Sequence, residues 1–173
     1  MFRVKKYFIK EKFMRRFYIK ERLLAIGAKF DVLDENDNVV FIAEADKFDI
    51  GKNISIYDSN RNKVLYMRQQ IRLGAHKYIA YDYNMREIAT IKKEFMIPEY
   101  NITGALGIMS MESNSMLGRH YIIKKDGIEI GKIDKELTFG RDRYSLEVLD
   151  ESYTNFFIGL LVMIDMVRFH NNN

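Results

Sequence analysis

The sequence predicts a mainly β protein that ends in one buried helix. Three observations support this prediction: a turn motif that recurs every 24 residues between β-prone segments, a composition rich in aromatic residues, and an apolar C-terminal segment. The chain has 12 Phe, 11 Tyr and a single Pro, and aromatic rings pack well on a half-buried pleated surface. Its 173 residues suit one domain, and we therefore interpret residues 1–173 as a single domain.

The recurring turn motif is rich in Asp and Asn. Its copies begin at Asp34, Asp58 and Asp82, and each has an Asn two residues later. Asp and Asn bond their own backbone in turns and tolerate left-handed conformations, so each copy should close a β-hairpin. Short β-prone segments precede and follow every copy: 30–33, 54–57 and 78–81 before the turns, and 40–43, 64–67 and 88–91 after them.

A fourth hairpin is predicted at residues 121–132. Its turn is Asp126-Gly127, a favoured two-residue hairpin loop. The segment 104–118 is rich in Gly, Ser and Met and is expected to hold an irregular strand or a mobile loop. Further strands are expected outside the four hairpins, near 7–9, 17–20, 24–27, 100–103 and 144–149. The total is about a dozen short strands, which is enough to require closure into a barrel or a sandwich.

The apolar segment 156–169 is predicted to be a buried helix and not a membrane anchor. Its 14 residues would rise about 21 Å, whereas the hydrocarbon core of a bilayer is about 30 Å thick. Asp165 would also cost roughly 2.5–3.5 kcal/mol inside the bilayer. Asp150 or Ser152 can cap the helix start, and Asp165 and Arg168 are spaced to pair on one helix face.

These features together resemble the LURP-one-related family. The resemblance is carried by the turn-linked strands, the 121–132 hairpin, the segment Tyr144-Ser-Leu-Glu-Val148 and the apolar terminal helix. It covers essentially the whole chain and is most specific over residues 100–168. The family is similar in fold to the tubby C-terminal domain and to phospholipid scramblases. The resemblance implies a closed antiparallel barrel of about 12 strands, at roughly 5–149, around a central helix at roughly 152–169.

No enzyme, metal or cofactor signature is found. The absence of cysteine excludes disulfides, thiolate catalysis and zinc–thiolate sites. His76, His120 and His170 are too scattered to indicate a metal site, and neither a Gly-x-Ser-x-Gly elbow nor a phosphate-binding glycine loop is present. The Asp-x-Asn turns offer oxygen ligands as calcium loops do. They lack the Gly and Glu that a calcium loop needs at its sixth and twelfth positions, so a plain turn is favoured.

The N-terminal region is strongly basic. Residues 1–29 contain ten Lys/Arg and two Glu, a net charge of +8, so the remaining 144 residues carry −4. Such a region is attracted to phosphate-bearing surfaces, and each cation near an anionic membrane contributes about 1 kcal/mol. Nucleic acid is a competing but less favoured phosphate source, and a solvated strand face is the alternative interpretation. The candidate residues are Lys5, Lys6, Lys10, Lys12, Arg15, Arg16, Lys20 and Arg22.

The predicted function is a non-catalytic binding module that recognises anionic phospholipid peripherally. Tubby domains bind phosphoinositides through a basic barrel patch, but no motif here matches that patch. The alternative is a protein-interaction or structural scaffold without a small-molecule ligand. Because the first residues lack the hydrophobic core of a signal peptide, we expect a cytoplasmic protein, peripheral at the membrane and not transmembrane.

Overall fold

Twelve strands, one 3-10 helix and one α-helix make up the described part of the chain. The computed structural model describes residues 14–22, 28–46, 53–72, 75–94, 96–115, 119–138 and 141–169. The 3-10 helix is Glu151–Tyr153 and the α-helix, α1, is Thr154–Phe169. The strands are β1 (Arg15–Glu21), β2 (Ala28–Leu33), β3 (Val39–Ala45), β4 (Ile54–Asp58), β5 (Lys63–Arg72), β6 (Ala75–Asp82), β7 (Glu87–Lys93), β8 (Tyr100–Thr103), β9 (Met109–Ser113), β10 (His120–Lys125), β11 (Ile128–Thr138) and β12 (Arg141–Val148).

The strands close into an antiparallel barrel. Each strand pairs with its neighbours in sequence, and β1 pairs with both β2 and β12. Phe17 in β1 lies opposite Leu146 in β12. A closed barrel leaves no sheet edge unpaired, and the predicted barrel of about 12 strands is confirmed.

Side chains alternate between the interior and the outer face along the strands. In β8 the burial alternates residue by residue, with Tyr100 and Ile102 in the core. The ladder shifts register at Val32/Leu33, Ile56/Tyr57 and Ala80/Tyr81. These positions are 24 residues apart, so the sequence repeat specifies the strand irregularity as well as the turn that follows it.

Helix α1 lies inside the barrel. Every residue from Phe156 to Met166 is buried, and Asp165 and Met166 have the most exposed side chains of this range, at 5%. The helix contacts β12 on one side and β4 and β5 across the barrel. A helix that is apolar nearly all round is expected where other elements surround it. The buried helix predicted from the sequence is therefore confirmed.

The helix start differs slightly from the prediction. Residues 151–153 form the 3-10 turn, and α1 begins at Thr154. Asp150 caps this turn, since its Oδ1 accepts from the Ser152 amide at 3.1 Å. The side chain of Arg168 lies outside the described part, so its predicted pairing with Asp165 stays a prediction. Among the helices that the structure describes, none is long and apolar enough to cross a membrane.

The segment 104–118 contains a regular strand over part of its length. Residues 104–108 turn the chain, and β9 then pairs with both β8 and β10. Gly104 has a φ of 143°, and a Cβ there would lie 2.7 Å from the Ile88 carbonyl oxygen, so this close approach requires glycine. Met109 and Met111 face the core, which assigns the Met-Ser-Met alternation to a strand. The strands predicted at 7–9 and 24–27 lie outside the described residues.

Truncating the helix core should strongly destabilise the protein. Leu161 is fully buried, and Leu161→Ala should lower the free energy of unfolding by about 2–5 kcal/mol, because the lost contacts leave a cavity. Asn155→Ala, at an exposed position of the same helix, is the control. Urea denaturation of both variants provides the comparison. A melting temperature for Leu161→Ala within about 2 °C of wild type would contradict the central role of α1.

A second prediction concerns the close approach of α1 to β5. A Cβ on Gly159 would lie 2.4 Å from Leu65 Cδ2 and 2.6 Å from Met67 Sδ. Alanine normally favours a helix by about 1 kcal/mol over glycine, but overpacking costs about 1–3 kcal/mol. Gly159→Ala should therefore lower stability in urea denaturation. Its cost should shrink in a Leu65→Ala background, which removes the nearest atom; an equal cost in both backgrounds would argue against this contact.

Candidate functional site

The two ends of the barrel differ in their connections. At one end lie the start of β1, the turns at 34–38, 58–62, 82–86, 104–108 and 126–127, and the passage from β12 into the helices. We call this the turn end. The connections on the opposite side, the far end, include residues 96–99 and 114–115. The basic N-terminal residues join the barrel at the turn end, because β1 begins there at Arg15.

Four of the eight predicted cations belong to the described residues. Arg15, Arg16 and Lys20 are in β1, and Arg22 follows it directly. Phe17 and Ile19 are buried. They alternate along β1 with Arg16 and Lys20, which therefore lie on the outer face. Arg15 and Lys20 are exposed, and the Arg15 guanidinium lies 5.0 Å from the centre of the Phe17 ring. The other four (Lys5, Lys6, Lys10 and Lys12) lie outside the described residues.

Two of these cations form ion pairs with carboxylates on neighbouring strands. Arg16 donates to Glu147 of β12, which lies opposite it in the ladder. Arg22 Nε donates to Asp31 Oδ2 at 2.9 Å. These hydrogen bonds raise the pKa of each guanidinium group. The two arginines therefore fit the alternative interpretation, a solvated and charge-balanced strand face, better than a free cationic site.

The three Asp-x-Asn motifs form nearly identical turns. Asp34 Oδ1 accepts from the amides of Asn36 and Asn38, both at 2.9 Å. Asp58 and Asp82 accept in the same way from the residues two and four positions later, at 2.8–3.0 Å. In each turn the fourth residue has a positive φ: Asp37 (61°), Arg61 (68°) and Met85 (59°). The predicted hairpin turns are confirmed.

Hydrogen bonding of the turn carboxylates lowers their pKa values. The amide of Asn38 makes the largest contribution at Asp34, the side chain of Asn62 at Asp58, and the amide of Arg86 at Asp82. The carboxylate oxygens are thus occupied by the turn itself. Within the described ranges, no group of three or more His, Asp and Glu side chains is placed to hold a metal ion.

Four large apolar side chains are exposed on adjacent hairpin turns of this end. Tyr83 and Met85, in the β6–β7 turn, are 70% and 55% exposed. Ile108, before β9, is 72% exposed, and Ile128, at the start of β11, is 68% exposed. The pairing of β7 with β8 and of β9 with β10 makes these three hairpins neighbours. We call Tyr83, Met85, Ile108 and Ile128 the apolar tips.

Sequence reasoning missed the apolar tips, although the repeat contained a signal. The second and fourth residues of the turn are polar in the first two copies, with Glu35 and Asp37, then Ser59 and Arg61. The third copy has Tyr83 and Met85 instead. An apolar residue gains nothing in a solvated turn, so this departure from the repeat points to a surface role.

Three other titratable side chains of the described residues, His120, Tyr78 and Asp165, belong to three different elements. His120 Nδ1 lies 2.7 Å from Asp134 Oδ1 on the exposed outer face. Burial raises the pKa of Tyr78 to about 12, so this tyrosine stays protonated near neutral pH and cannot act there as a base. Asp165 is buried within the barrel, 5% exposed. The outer face and the turn end therefore remain as candidate sites for binding.

Comparison with known proteins agrees with this architecture. The sequence model of the family described as LURP-one-related matches residues 15–165. The chain belongs to the LURP-one-related family. Its structure is similar to the X-ray structure of a protein from Arabidopsis thaliana, with a TM-score of 0.64 and 15% identity over 90% of this chain and 92% of that one. A likeness at this identity shows the fold alone. None of the curated proteins compared matches the chain.

Membership of the LURP-one-related family confirms the resemblance found in the sequence. This LURP-one-related chain therefore fits a binding module.

The lowered carboxylate pKa values predict a loss of stability in acid. In the folded state Asp58 should titrate below 3.8, its ordinary value. The ionised Asp58 carboxylate then stabilises the folded state above the pKa that it has in the unfolded chain. This stabilisation is lost as the pH falls through the lower pKa of the folded state, below about pH 4. NMR titration of the carboxyl carbons and unfolding measured against pH provide the test. Asp58→Asn should weaken the acid dependence, because the amide keeps one acceptor oxygen but does not titrate. A folded-state midpoint at or above 3.8 would refute this prediction.

Proposed function

We propose that this LURP-one-related domain is a non-catalytic module that binds anionic phospholipid peripherally, at the cytoplasmic face of a membrane. The observation that supports the proposal most is the net charge of +8 in residues 1–29 on a body of −4. The proposed contacts come from the basic N-terminal region: Lys5, Lys6, Lys10, Lys12, Arg15, Arg16, Lys20 and Arg22.

The position of β1 supports this assignment. Arg15 and Lys20 are exposed on a strand at the barrel surface, and the lysines at positions 5–12 precede that strand. Cations near an anionic leaflet contribute about 1 kcal/mol each and act together. The ion pairs of Arg16 and Arg22 reduce their share, so Arg15, Lys20 and the four preceding lysines should provide most of the attraction.

A filled interior also favours binding on the outside of the barrel. Helix α1 occupies the barrel axis, and its side chains from Phe156 to Met166 are buried against the strands. A lipid acyl chain would have to displace that packing in order to enter. Recognition of headgroups at the surface requires no such change, and it needs no catalytic group.

A protein-interaction scaffold is the second candidate function. The apolar tips favour it, because exposed large apolar side chains on neighbouring turns are also found at protein interfaces. A stable dimer, or a partner that covers Tyr83, Met85, Ile108 and Ile128, would support this candidate over lipid recognition.

Co-sedimentation with vesicles tests the lipid proposal. The full chain should sediment with phosphatidylserine-containing vesicles at low salt. It should bind less at high salt, because screening weakens the attraction between surface charges. It should not bind vesicles of pure phosphatidylcholine. Lys5→Ala/Lys6→Ala should weaken binding by about 30-fold, from about 1 kcal/mol per cation.

The matched control removes two lysines from the opposite side of the barrel. Lys77 and Lys92 face each other on β6 and β7, and the Lys77→Ala/Lys92→Ala variant carries the same net charge as the N-terminal variant. It should bind nearly as well as wild type. Equal losses in the two variants, or no binding to anionic vesicles at low salt, would refute the proposed site.

A further inference from the structure

We infer that the apolar tips Tyr83, Met85, Ile108 and Ile128 insert into the lipid interface, so that the barrel meets the membrane with its turn end. This inference rests on the proposed function and deepens it, since it specifies which surface enters the bilayer. The occupant is an anionic phospholipid surface.

The shape of the tips suits a fluid lipid layer. The four side chains belong to three separate hairpin turns and are 55–72% exposed, so they protrude and do not line a groove. A protein partner would need a complementary packed surface between them. A lipid interface adapts to separated protrusions, and aromatic or aliphatic side chains are the usual anchors there.

Charges of both signs surround the tips. Asp82, in the turn that carries Tyr83, is paired with Arg86 at 2.7 Å. Lys125 lies beside Met109 and Ile128 in the ladders, and its Nζ donates to the Tyr153 hydroxyl at 2.6 Å. A lysine at this level can reach the headgroups while its stem covers apolar surface. Asp126 shares its turn with this cation.

The basic N-terminal region joins the barrel near one of the tips, Ile128, and at the same end as the others. Met14 is 53% exposed next to Arg15, and β11, which begins at Ile128, is two strands from β1. Neighbouring strands are about 4.8 Å apart, so Arg15 lies close to Ile128, whereas Tyr83 and Met85 are across the turn end, between β6 and β7. Apolar insertion and electrostatic attraction would then act at one end of the molecule, and two such signals together give stable peripheral binding.

This orientation separates the candidate cations. Lys20 lies five residues after Arg15 on β1, or about 17 Å along the strand toward the far end. In an end-on complex Arg15 lies nearer to the headgroups than Lys20 and Arg22 do, so Lys20 contributes less to the attraction than Arg15. Lys20→Ala should therefore weaken vesicle binding less than Arg15→Ala does, and equal losses in these two variants would argue against end-on binding.

The absence of tryptophan allows a direct test in the full chain. Ile108→Trp places a single fluorophore among the apolar tips, and Met96→Trp places one at the far end, where Met96 is 83% exposed. With phosphatidylserine-containing vesicles, the emission of the first variant should shift to the blue and be quenched by brominated lipids. The emission of the second should stay unchanged.

A binding measurement complements the fluorescence. Ile108→Ser/Ile128→Ser should weaken vesicle binding at least about tenfold, since two inserted side chains are lost. Met96→Ser should bind like wild type. All three positions are exposed, and circular dichroism verifies that the variants fold.

The outcomes separate this inference from the proposed function. If the wild-type chain does not bind vesicles, both are overturned. If it binds while the fluorophores at positions 108 and 96 respond alike, or while Ile108→Ser/Ile128→Ser keeps full affinity, end-on insertion is overturned and lipid recognition stands. A blue shift at position 108 that depends on protein concentration without vesicles would assign the tips to self-association and would also overturn the inference.

Discussion

The packing of α1 against the inner faces of the strands is the constraint on which the other features depend. A barrel of about eight strands can fill its interior with its own side chains, but twelve strands enclose more space. Helix α1 fills it, and the approach is so close that a Cβ on Gly159 would lie within 2.6 Å of the Leu65 and Met67 side chains. The helix needs the barrel equally, because a segment apolar on all sides requires partners in every direction.

A filled interior directs function to the surface, where neighbouring strands balance part of the charge. Arg16 pairs with Glu147 and Arg22 with Asp31, so a count of cations along β1 overstates the free positive charge. The turn end is different. It combines exposed apolar residues with the point at which the basic N-terminal residues join the barrel, and this combination adds to the charge in favouring the proposed membrane contact.

Much of the fold could be predicted because its signals are local. The Asp carboxylate of each turn bonds backbone amides two and four residues later, and alternation along a strand needs only neighbouring positions. For the segment that contains the strand Met109–Ser113, the sequence predicts either an irregular strand or a mobile loop, because the segment is rich in Gly and Ser. Tertiary pairing with β8 and β10 outweighed that local preference. The apolar tips were missed because their significance depends on which turns become neighbours.

The sequence by itself determined the hairpins, the burial of the terminal helix and the family, since turn chemistry, strand alternation and segment length can be read along the chain. Only the tertiary structure decided which charges meet and which turns share an end of the barrel. Arg16 and Glu147 are 131 positions apart, and closure of β1 onto β12 brings them together. Contacts of that kind depend on the complete strand order, which no local pattern contains.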